Sequence, residues 1–212
     1  MGYYCEAGGL LGQPEPRGRL SLLDSKTGKT VLEAKLEASQ VKGADQITVF
    51  ADAANYYFAF HVPSDNTTII GEAGPNFQGF DLTVPVNGRL YAFNRATGNL
   101  AWFRALDHQQ IVLEQQEDLP ILICTTQVNR ALGAGQGVAV VTSITCAIDK
   151  RTGKLFYRQE AVNANNTGYQ PFHSVRLDRR TGAIELVSQS RKLRFQPKSA
   201  EQPGGPNKLG QD

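Results

Sequence analysis

Cysteine and histidine are the residue types of this sequence best suited to bind a metal or to act as a nucleophile. No two of the cysteines lie within four positions of each other, and no histidine has a partner two or four positions away. The spacing therefore predicts no metal site. Burial in strands is the favoured interpretation for the last two cysteines, with a disulfide or a reactive thiol as alternatives. The six residues are Cys5, Cys124, Cys146, His61, His108 and His173.

A five-residue phrase that begins with Asp or Asn and ends in Thr-Gly occurs four times, at 24–28, 94–98, 149–153 and 178–182. The first side chain can accept hydrogen bonds from backbone N–H groups two or three residues later, and the final glycine supplies a positive φ. A tight turn therefore explains the phrase without a ligand. The predicted structural turn residues are Asp24, Thr27, Gly28, Asn94, Thr97, Gly98, Asp149, Thr152, Gly153, Asp178, Thr181 and Gly182.

Strand-forming residues flank each of these turns, so the repeated unit is a β-hairpin. The sequence predicts an all-β fold of propeller-like repeats with four-stranded antiparallel blades. A blade takes about 40 to 50 residues, and the last two turns are too close together for one. The prediction is therefore three to four blades and an incomplete ring, whose sheet edges stay open unless the chain oligomerises or belongs to a longer polypeptide.

Three segments are predicted along the chain: a Gly/Pro-rich, unfolded lead-in at 1–18, a repeat domain at 19–195 and a disordered tail at 196–212. Within the domain, 63–79 is predicted as a loop, Asn87 and Gly88 as a turn, and 109–113 as a separate strand. With 41% hydrophobic and 20% charged residues the chain has enough apolar side chains for a core, and its net charge of +2 does not indicate nucleic acid. No apolar run reaches the length of a membrane span.

Two further clusters have alternative interpretations. In the aromatic run 56–60, alternation places Tyr57 on one face of a strand and Tyr56, Phe58 and Phe60 on the other, which favours core packing over an exposed binding surface. A basic cluster near the C-terminus favours a solvated hairpin over a site for an anion or a partner. Its members are Arg176, Arg179, Arg180, Arg191, Lys192 and Arg194.

The run from Gly88 to Trp102 resembles the repeat of PQQ-like β-propellers. In that repeat a glycine precedes an inner strand, an acidic turn ends in Thr-Gly, and a tryptophan follows four residues later. The resemblance extends over about 19–190 and implies that Trp102 docks neighbouring blades, with Tyr157 at the same place in the third repeat. Leu32 and Leu186 occupy that place in the first and fourth repeats. Residues 119–124 also resemble the C-terminal parts of large bacterial PQQ-like repeat proteins.

The PQQ-like family includes quinoprotein dehydrogenases and catalytically silent scaffolds such as the lipoprotein of the outer-membrane assembly machinery. Its dehydrogenases hold PQQ under a vicinal cysteine pair and Ca²⁺ between Glu, Asn and Asp, whereas this chain has no adjacent cysteines. The favoured function is therefore a non-catalytic interaction or scaffold module without a cofactor. The alternative is a PQQ-dependent dehydrogenase or another propeller enzyme. Expected partners are a protein, the rest of a longer parent chain, or a second copy. As written the chain is expected to be soluble, and a fragment of an exported precursor would lie in the periplasm or cell envelope.

Overall fold

The computed structural model describes residues 3–8, 17–37, 43–63, 69–73, 83–113, 119–131, 139–163, 174–187 and 192–196. Every regular element in these ranges is a β-strand. The strands are β1 (Tyr3–Gly8), β2 (Arg17–Asp24), β3 (Thr30–Glu37), β4 (Gln46–Ala51), β5 (Asn55–His61), β6 (Ile69–Ala73), β7 (Thr83–Asn94), β8 (Leu100–Val112), β9 (Ile121–Ala131), β10 (Ala139–Asp149), β11 (Leu155–Asn163), β12 (Ser174–Asp178), β13 (Ala183–Val187) and β14 (Lys192–Phe195).

All the strand pairs are antiparallel, and they form three sheets. The N-terminal sheet has the order β1-β2-β3, and the C-terminal sheet has the order β12-β13-β14. The central sheet has eight strands in the order β11-β10-β9-β8-β7-β5-β4, and β6 pairs with β9 beside that path. Each hairpin with a Thr-Gly turn thus belongs to a sheet with at least one further strand.

The central sheet bends where β7 and β8 run side by side. The register of β7 shifts between Val86 and Gly88, and His108 on β8 has a φ of 47°. The Asn87 side chain holds the bend, because its Nδ2 donates to Val62 O (2.6 Å) and its Oδ1 accepts from His108 N (3.2 Å). Gly88 is required here, since a Cβ at this position would lie 2.9 Å from Phe60 O. Strands that bend in this way carry a sheet around a corner.

The bend folds the central sheet onto itself, so the sheets stack as four layers. Layer 1 is the N-terminal sheet and layer 4 is the C-terminal sheet. Layer 2 contains β4, β5, residues 88–94 of β7 and residues 100–106 of β8. Layer 3 contains the other ends of β7 and β8 together with β6, β9, β10 and β11. The described residues do not close this stack into a ring.

An apolar core fills the space between each pair of neighbouring layers. Buried side chains from both layers interdigitate in every core, which is the arrangement expected of packed sheets. The first core, between layers 1 and 2, contains Leu20, Leu22, Leu32, Leu36, Ala44, Tyr56, Phe58, Phe60, Tyr91 and Phe93. The second, between layers 2 and 3, contains Tyr57, Ala59, Val84, Val86, Leu90, Ala92, Trp102, Leu106, Ile111, Leu122, Cys124, Ile144, Cys146 and Ile148. The third, between layers 3 and 4, contains Val112, Leu119, Ile121, Ile123, Ala147, Ile184 and Leu186.

Ion pairs lie on the outward faces of the two end layers. On layer 1, Arg19 and Glu33 form an exposed ion pair of 2.6 Å. On layer 4, Glu185 pairs with Lys192 at 2.7 Å and with Arg194 at 3.5 Å. Polar outer faces are typical of the terminal units of repeat arrays, because they end the apolar stacking.

The structure confirms an all-β, antiparallel fold and corrects four local predictions. The lead-in is wrong for Tyr3–Gly8, which pairs with β2 along its whole length as β1. The loop at 63–79 is wrong for Ile69–Ala73, which is β6 on the edge of β9. Asn87 and Gly88 form the bend within β7 and not a turn, because β5 and β8 flank them on both sides. Residues 109–112 continue β8 and are not a separate strand.

The alternation predicted for the aromatic run is confirmed, and both of its faces are buried. Tyr57 points into the second core, whereas Tyr56, Phe58 and Phe60 point into the first. The tail at 197–212 and the parts of the 63–79 loop at 64–68 and 74–79 lie outside the described residues.

Candidate functional site

The four repeated turns share one hydrogen-bond pattern. In each, the side chain of the first residue accepts from the backbone N–H groups two and three positions later, at 2.8–3.4 Å. The threonine hydroxyl donates to the same side chain, and the glycine N–H donates to the first residue's carbonyl. The turn glycines Gly28, Gly98, Gly153 and Gly182 have φ between 66° and 72°.

These hydrogen bonds lower the pKa of the turn carboxylates that start the first and last turns. The backbone N–H of Thr27 is the main cause at Asp24, and the hydroxyl of Thr181 is the main cause at Asp178. Both carboxylates are therefore ionised at neutral pH, and their oxygens are occupied by the turn. The arrangement builds hairpins and provides no general base.

A β-bulge follows the turn in the first three hairpins and is absent from the fourth. The register shifts at the same place each time, between Leu22 and Leu23, between Ala92 and Phe93, and between Ala147 and Ile148. The fourth hairpin pairs without a shift. Because an extra residue reverses the alternation of a strand, the side chain four residues after the glycine faces the next layer only in the first three.

Trp102 forms the junction between layers 2 and 3. Its ring lies against the turn glycine of the next hairpin, since a Cβ on Gly153 would be 2.6 Å from Trp102 Cδ2. Its indole N–H donates to Lys150 O at 2.8 Å. Arg104, two residues further along β8, donates from Nη1 to Gly153 O at 2.9 Å. One strand of layer 2 thus holds the third turn by packing and by two hydrogen bonds.

Leu32 and Tyr157 occupy the same place in the other two junctions. Leu32 Cδ1 lies 3.6 Å from the Cβ position of Gly98, at ordinary contact distance. Tyr157 packs edge-on against Phe195 of β14, with ring centroids 4.9 Å apart. In the fourth hairpin, without the bulge, Leu186 points back into the third core. Nothing lies within 4 Å of the Cβ position of Gly28, the glycine of the first turn.

A buried polar network lies beside Trp102, where the β4–β5 turn meets the third repeated turn. Asp52 and Lys150 form an ion pair of 3.2 Å, with only 10% and 12% of their side chains exposed. The Tyr57 hydroxyl donates to Asp52 Oδ2 at 2.8 Å. Asn55 Nδ2 donates to the Tyr57 oxygen at 3.2 Å and to Lys150 O at 3.4 Å. The network joins layers 2 and 3 and borders a cleft of about 520 Å³ lined by Asp52, Ala53, Ala54, Asn55, Asn94, Ala101, Leu119, Pro120, Asp149, Lys150 and Arg151.

The electrostatics of this network favour a structural role. Burial raises the pKa of Asp52, but the N–H of Asn55, the Tyr57 hydroxyl, the N–H of Ala54 and the Lys150 ammonium together outweigh it and hold that pKa below its usual value. Burial raises the pKa of Tyr57, so its hydroxyl stays protonated. The Asp52 oxygens are thus occupied by donors of both layers, and the network links layers 2 and 3.

The two described cysteine side chains lie opposite each other in the second core. Cys124 on β9 pairs in register with Cys146 on β10, and both are buried free thiols. Burial raises the pKa of both thiols. The prediction of buried cysteines in strands is confirmed for this pair. Cys5 lies on β1, and its side chain is outside the description.

Besides the junctions and the polar network, the structure has large apolar side chains that are exposed at the surface. In the described part of the chain they are Val31 (37% exposed), Leu100 (45%), Phe103 (50%) and Phe156 (50%). They lie on β3, β8 and β11, the strands that follow the first three repeated turns. Among the described residues each is an edge strand there, because β3 and β11 end their sheets and β8 pairs with β9 only at Gln110 and Ile111. Together these three strands are named the edge surface.

The remaining candidate residues are dispersed. Among the basic cluster, Arg176, Lys192 and Arg194 are exposed on layer 4, where Glu185 pairs with the last two. His61 and His108 lie on β5 and β8, while His173 is outside the described residues. In those residues no group of three or more His, Cys, Asp or Glu side chains is placed to hold a metal ion.

The described part of the chain has no helix of the length and apolarity that a bilayer crossing requires.

Comparison with known proteins adds no family. The sequence matches no protein-family model and no curated protein sequence. The geometry of the turns, the junctions and the edge surface therefore carries the functional argument.

Sequence reasoning missed the polar network and most of the edge surface. Asp52 and Lys150 are almost a hundred positions apart, and nothing local pairs them. The sequence around Phe103 is unusual for a strand at a sheet edge. Residues 100–106 are apolar at both alternating sets of positions, with the single exception of Arg104. Such a strand is expected to be covered on both faces, yet it lies at an edge.

Proposed function

We propose that this protein is a non-catalytic interaction or scaffold module, built from PQQ-like β-propeller repeats, that binds protein segments along its edge surface. The observation that carries the proposal is the position of the exposed large apolar side chains. All of those in the described residues lie on the unpaired strand edges β3, β8 and β11. Unpaired edges with apolar side chains are sites of strand addition.

The repeat geometry supports the family part of the proposal. The same turn, the same bulge and the same docking position recur in the first three hairpins, and Trp102 bridges two layers from the position that the family uses for docking. Four-stranded blades and ring closure stay predictions.

The charges on the outward faces of layers 1 and 4 favour the strand edges as the site of binding. Ion pairs lie on the outward faces of both end layers, and burying such charges against a partner costs more than burying an apolar edge. A partner would therefore gain most by extending the sheets sideways, where unpaired backbone groups lie beside apolar side chains.

The test is a display selection of short, extended peptides against the full chain. An edge variant carries Val31→Lys, Phe103→Lys and Phe156→Lys, and a matched control adds the same charges at exposed turn positions through Ser25→Lys, Ala53→Lys and Ala96→Lys. Selected peptides should bind the wild type and the control equally and the edge variant at least about tenfold more weakly, since burying one large apolar side chain contributes about 1.5 to 3 kcal/mol.

Two results would overturn the proposal. One is equal peptide affinity for the wild type and the edge variant. The other is saturable, one-to-one binding of PQQ with Ca²⁺, measured by absorbance and fluorescence titration, which would favour the quinoprotein dehydrogenase.

A further inference from the structure

The three strands of the edge surface differ in how well charged side chains protect them against pairing with another strand. On β3, the exposed Glu33 and Lys35 accompany Val31, and on β11 the ion pair of Arg158 and Glu160 accompanies Phe156. Charged side chains of this kind prevent unwanted strand pairing. In contrast, the exposed residues of β8 between 100 and 106 are Leu100, Ala101, Phe103 and Ala105, and its one charged residue, Arg104, donates to Gly153 O in layer 3.

The three layer junctions explain why β8 is the uncovered edge. Trp102 fills the second junction, and Tyr157 with Phe195 fills the third. Phe195 also packs against Phe156, with ring centroids 5.8 Å apart, and so covers part of the β11 edge. The first junction has only Leu32, a smaller side chain. The ring of Phe103 therefore stays half exposed at the margin of the first core, where it packs on Tyr91 at 5.7 Å.

A positive charge lies directly beside this apolar edge. The Arg89 guanidinium is 5.3 Å from the centroid of the Phe103 ring, and Arg89 faces Ala105 in the β7–β8 register. Among the described residues no carboxylate lies within ion-pair distance of Arg89. The Arg89 guanidinium also donates to the Tyr91 hydroxyl. The edge thus combines backbone groups that no described strand pairs, an aromatic surface and a cation that no described carboxylate neutralises.

We propose that residues 100–106 of β8 form a docking site for an extended protein segment that carries an aromatic or large aliphatic side chain beside a carboxylate. The segment pairs with the backbone of β8 as an added strand. Its apolar side chain covers Phe103 between Ala101 and Ala105, and its carboxylate binds Arg89. This proposal rests on the proposed interaction function and assigns that function to one edge and one partner chemistry.

The probe is a short acetylated peptide that alternates Thr with Val, Phe and Glu, so that the last three lie on one face of a strand. Binding to the full chain is measured by fluorescence anisotropy of a labelled peptide at low salt. Phe103→Lys should weaken binding about tenfold to a hundredfold, because it removes the apolar contact. Arg89→Gln should weaken it about twofold to fivefold, as expected of an ion pair at the protein surface.

Matched controls separate strand addition from simple adhesion. Phe156→Lys places the same charge on the β11 edge and should leave the affinity unchanged. Methylating the backbone nitrogens on the edge-facing side of the peptide should abolish binding, since it removes the pairing. Arg89→Glu should reverse the preference toward a peptide with Lys in place of Glu. If Phe103→Lys fails to fold by circular dichroism, Ala105→Lys provides the same test on the same face.

Three outcomes would overturn the assignment. The first is no saturable binding of the probe. The second is a peptide from the display selection that loses affinity with Phe156→Lys and not with Phe103→Lys, which would leave the interaction function in place at another edge. The third is a dimer, measured by light scattering, that Phe103→Lys converts to a monomer, because the occupant would then be a second copy of this chain.

Discussion

Gly153→Ala tests whether contact between layers stabilises the stack beyond the hairpins themselves. The substitution has two costs that the structure separates. A residue with a side chain at φ 68° loses about 1 to 2 kcal/mol in the left-handed region. The new Cβ would also lie 2.6 to 2.9 Å from Trp102 ring atoms, and overpacking of this kind costs about 1 to 3 kcal/mol. The expected loss in the free energy of unfolding is therefore about 2 to 5 kcal/mol.

Gly28 and Gly98 provide the controls, because they occupy the same position of the repeated turn and have no tryptophan against them. Gly28→Ala meets no atom within 4 Å, and Gly98→Ala meets Leu32 at 3.6 Å. Each should cost only the backbone part, about 1 to 2 kcal/mol. Urea unfolding followed by circular dichroism and by tryptophan fluorescence measures all three.

A second substitution tests whether contact with Trp102 causes the additional cost of Gly153→Ala. Trp102→Leu places at the second junction the residue type that already fits the first. In that background, the added cost of Gly153→Ala should fall to the backbone part, so the coupling between the two substitutions should be about 1 to 3 kcal/mol. Equal costs at all three glycines, or no coupling with Trp102→Leu, would refute the argument that the tryptophan holds the layers together.

Further expectations concern the buried polar groups. Asp52 has a lowered pKa in the folded protein, so its stabilising contribution is present above the unfolded value of about 3.9 and is lost as the pH falls through the folded value. Asp52→Asn should cost about 3 to 5 kcal/mol at pH 7 by leaving a buried cation unpaired, and urea unfolding from pH 7 down to pH 2 should show a smaller loss on acidification than in the wild type; parallel curves would contradict this. Tyr57→Phe should cost about 1 to 3 kcal/mol, because it leaves buried polar groups without a partner, and a stability equal to the wild type would show that water replaces the hydroxyl. Cys124 and Cys146, studied in a Cys5→Ser background, should resist a thiol reagent until urea unfolds the chain, whereas rapid labelling under native conditions would mean that the second core opens.

The elements that could be predicted from the sequence are those fixed by neighbouring residues. The repeated turns depend on hydrogen bonds over two or three positions, so their residue types are sufficient to predict them. Alternation in the run 56–60 likewise follows from strand geometry alone. The hairpins of the four Thr-Gly turns and the burial of Cys124 and Cys146 follow from such local patterns.

The incorrect predictions concern residues whose conformation is determined by distant strands. Asn87 and Gly88 form a dipeptide typical of tight turns, but Val62 O and His108 N engage the Asn87 side chain and keep β7 continuous. Strands β1 and β6 are short and adjoin glycine- and proline-containing segments, and their place in the fold comes from pairing with β2 and β9. The Asp52–Lys150 pair and the exposure of Phe103 depend on how the layers stack, and local sequence patterns do not determine that stacking.

The two long strands β7 and β8 cross from layer 2 into layer 3 without interruption, whereas in the described residues layers 1 and 4 share no strand pairing with the central sheet. Local opening free energies reflect such connections. Buried amides of the β7–β8 ribbon, such as that of Tyr91, should exchange with deuterium only when both middle layers come apart together. Amides of β13, such as Ile184, should exchange in smaller openings in which the C-terminal sheet separates alone. Layers 2 and 3 should thus unfold as one cooperative unit, whereas layers 1 and 4 can each separate from it. A partner bound to β8 would contact the part of the molecule that unfolds last.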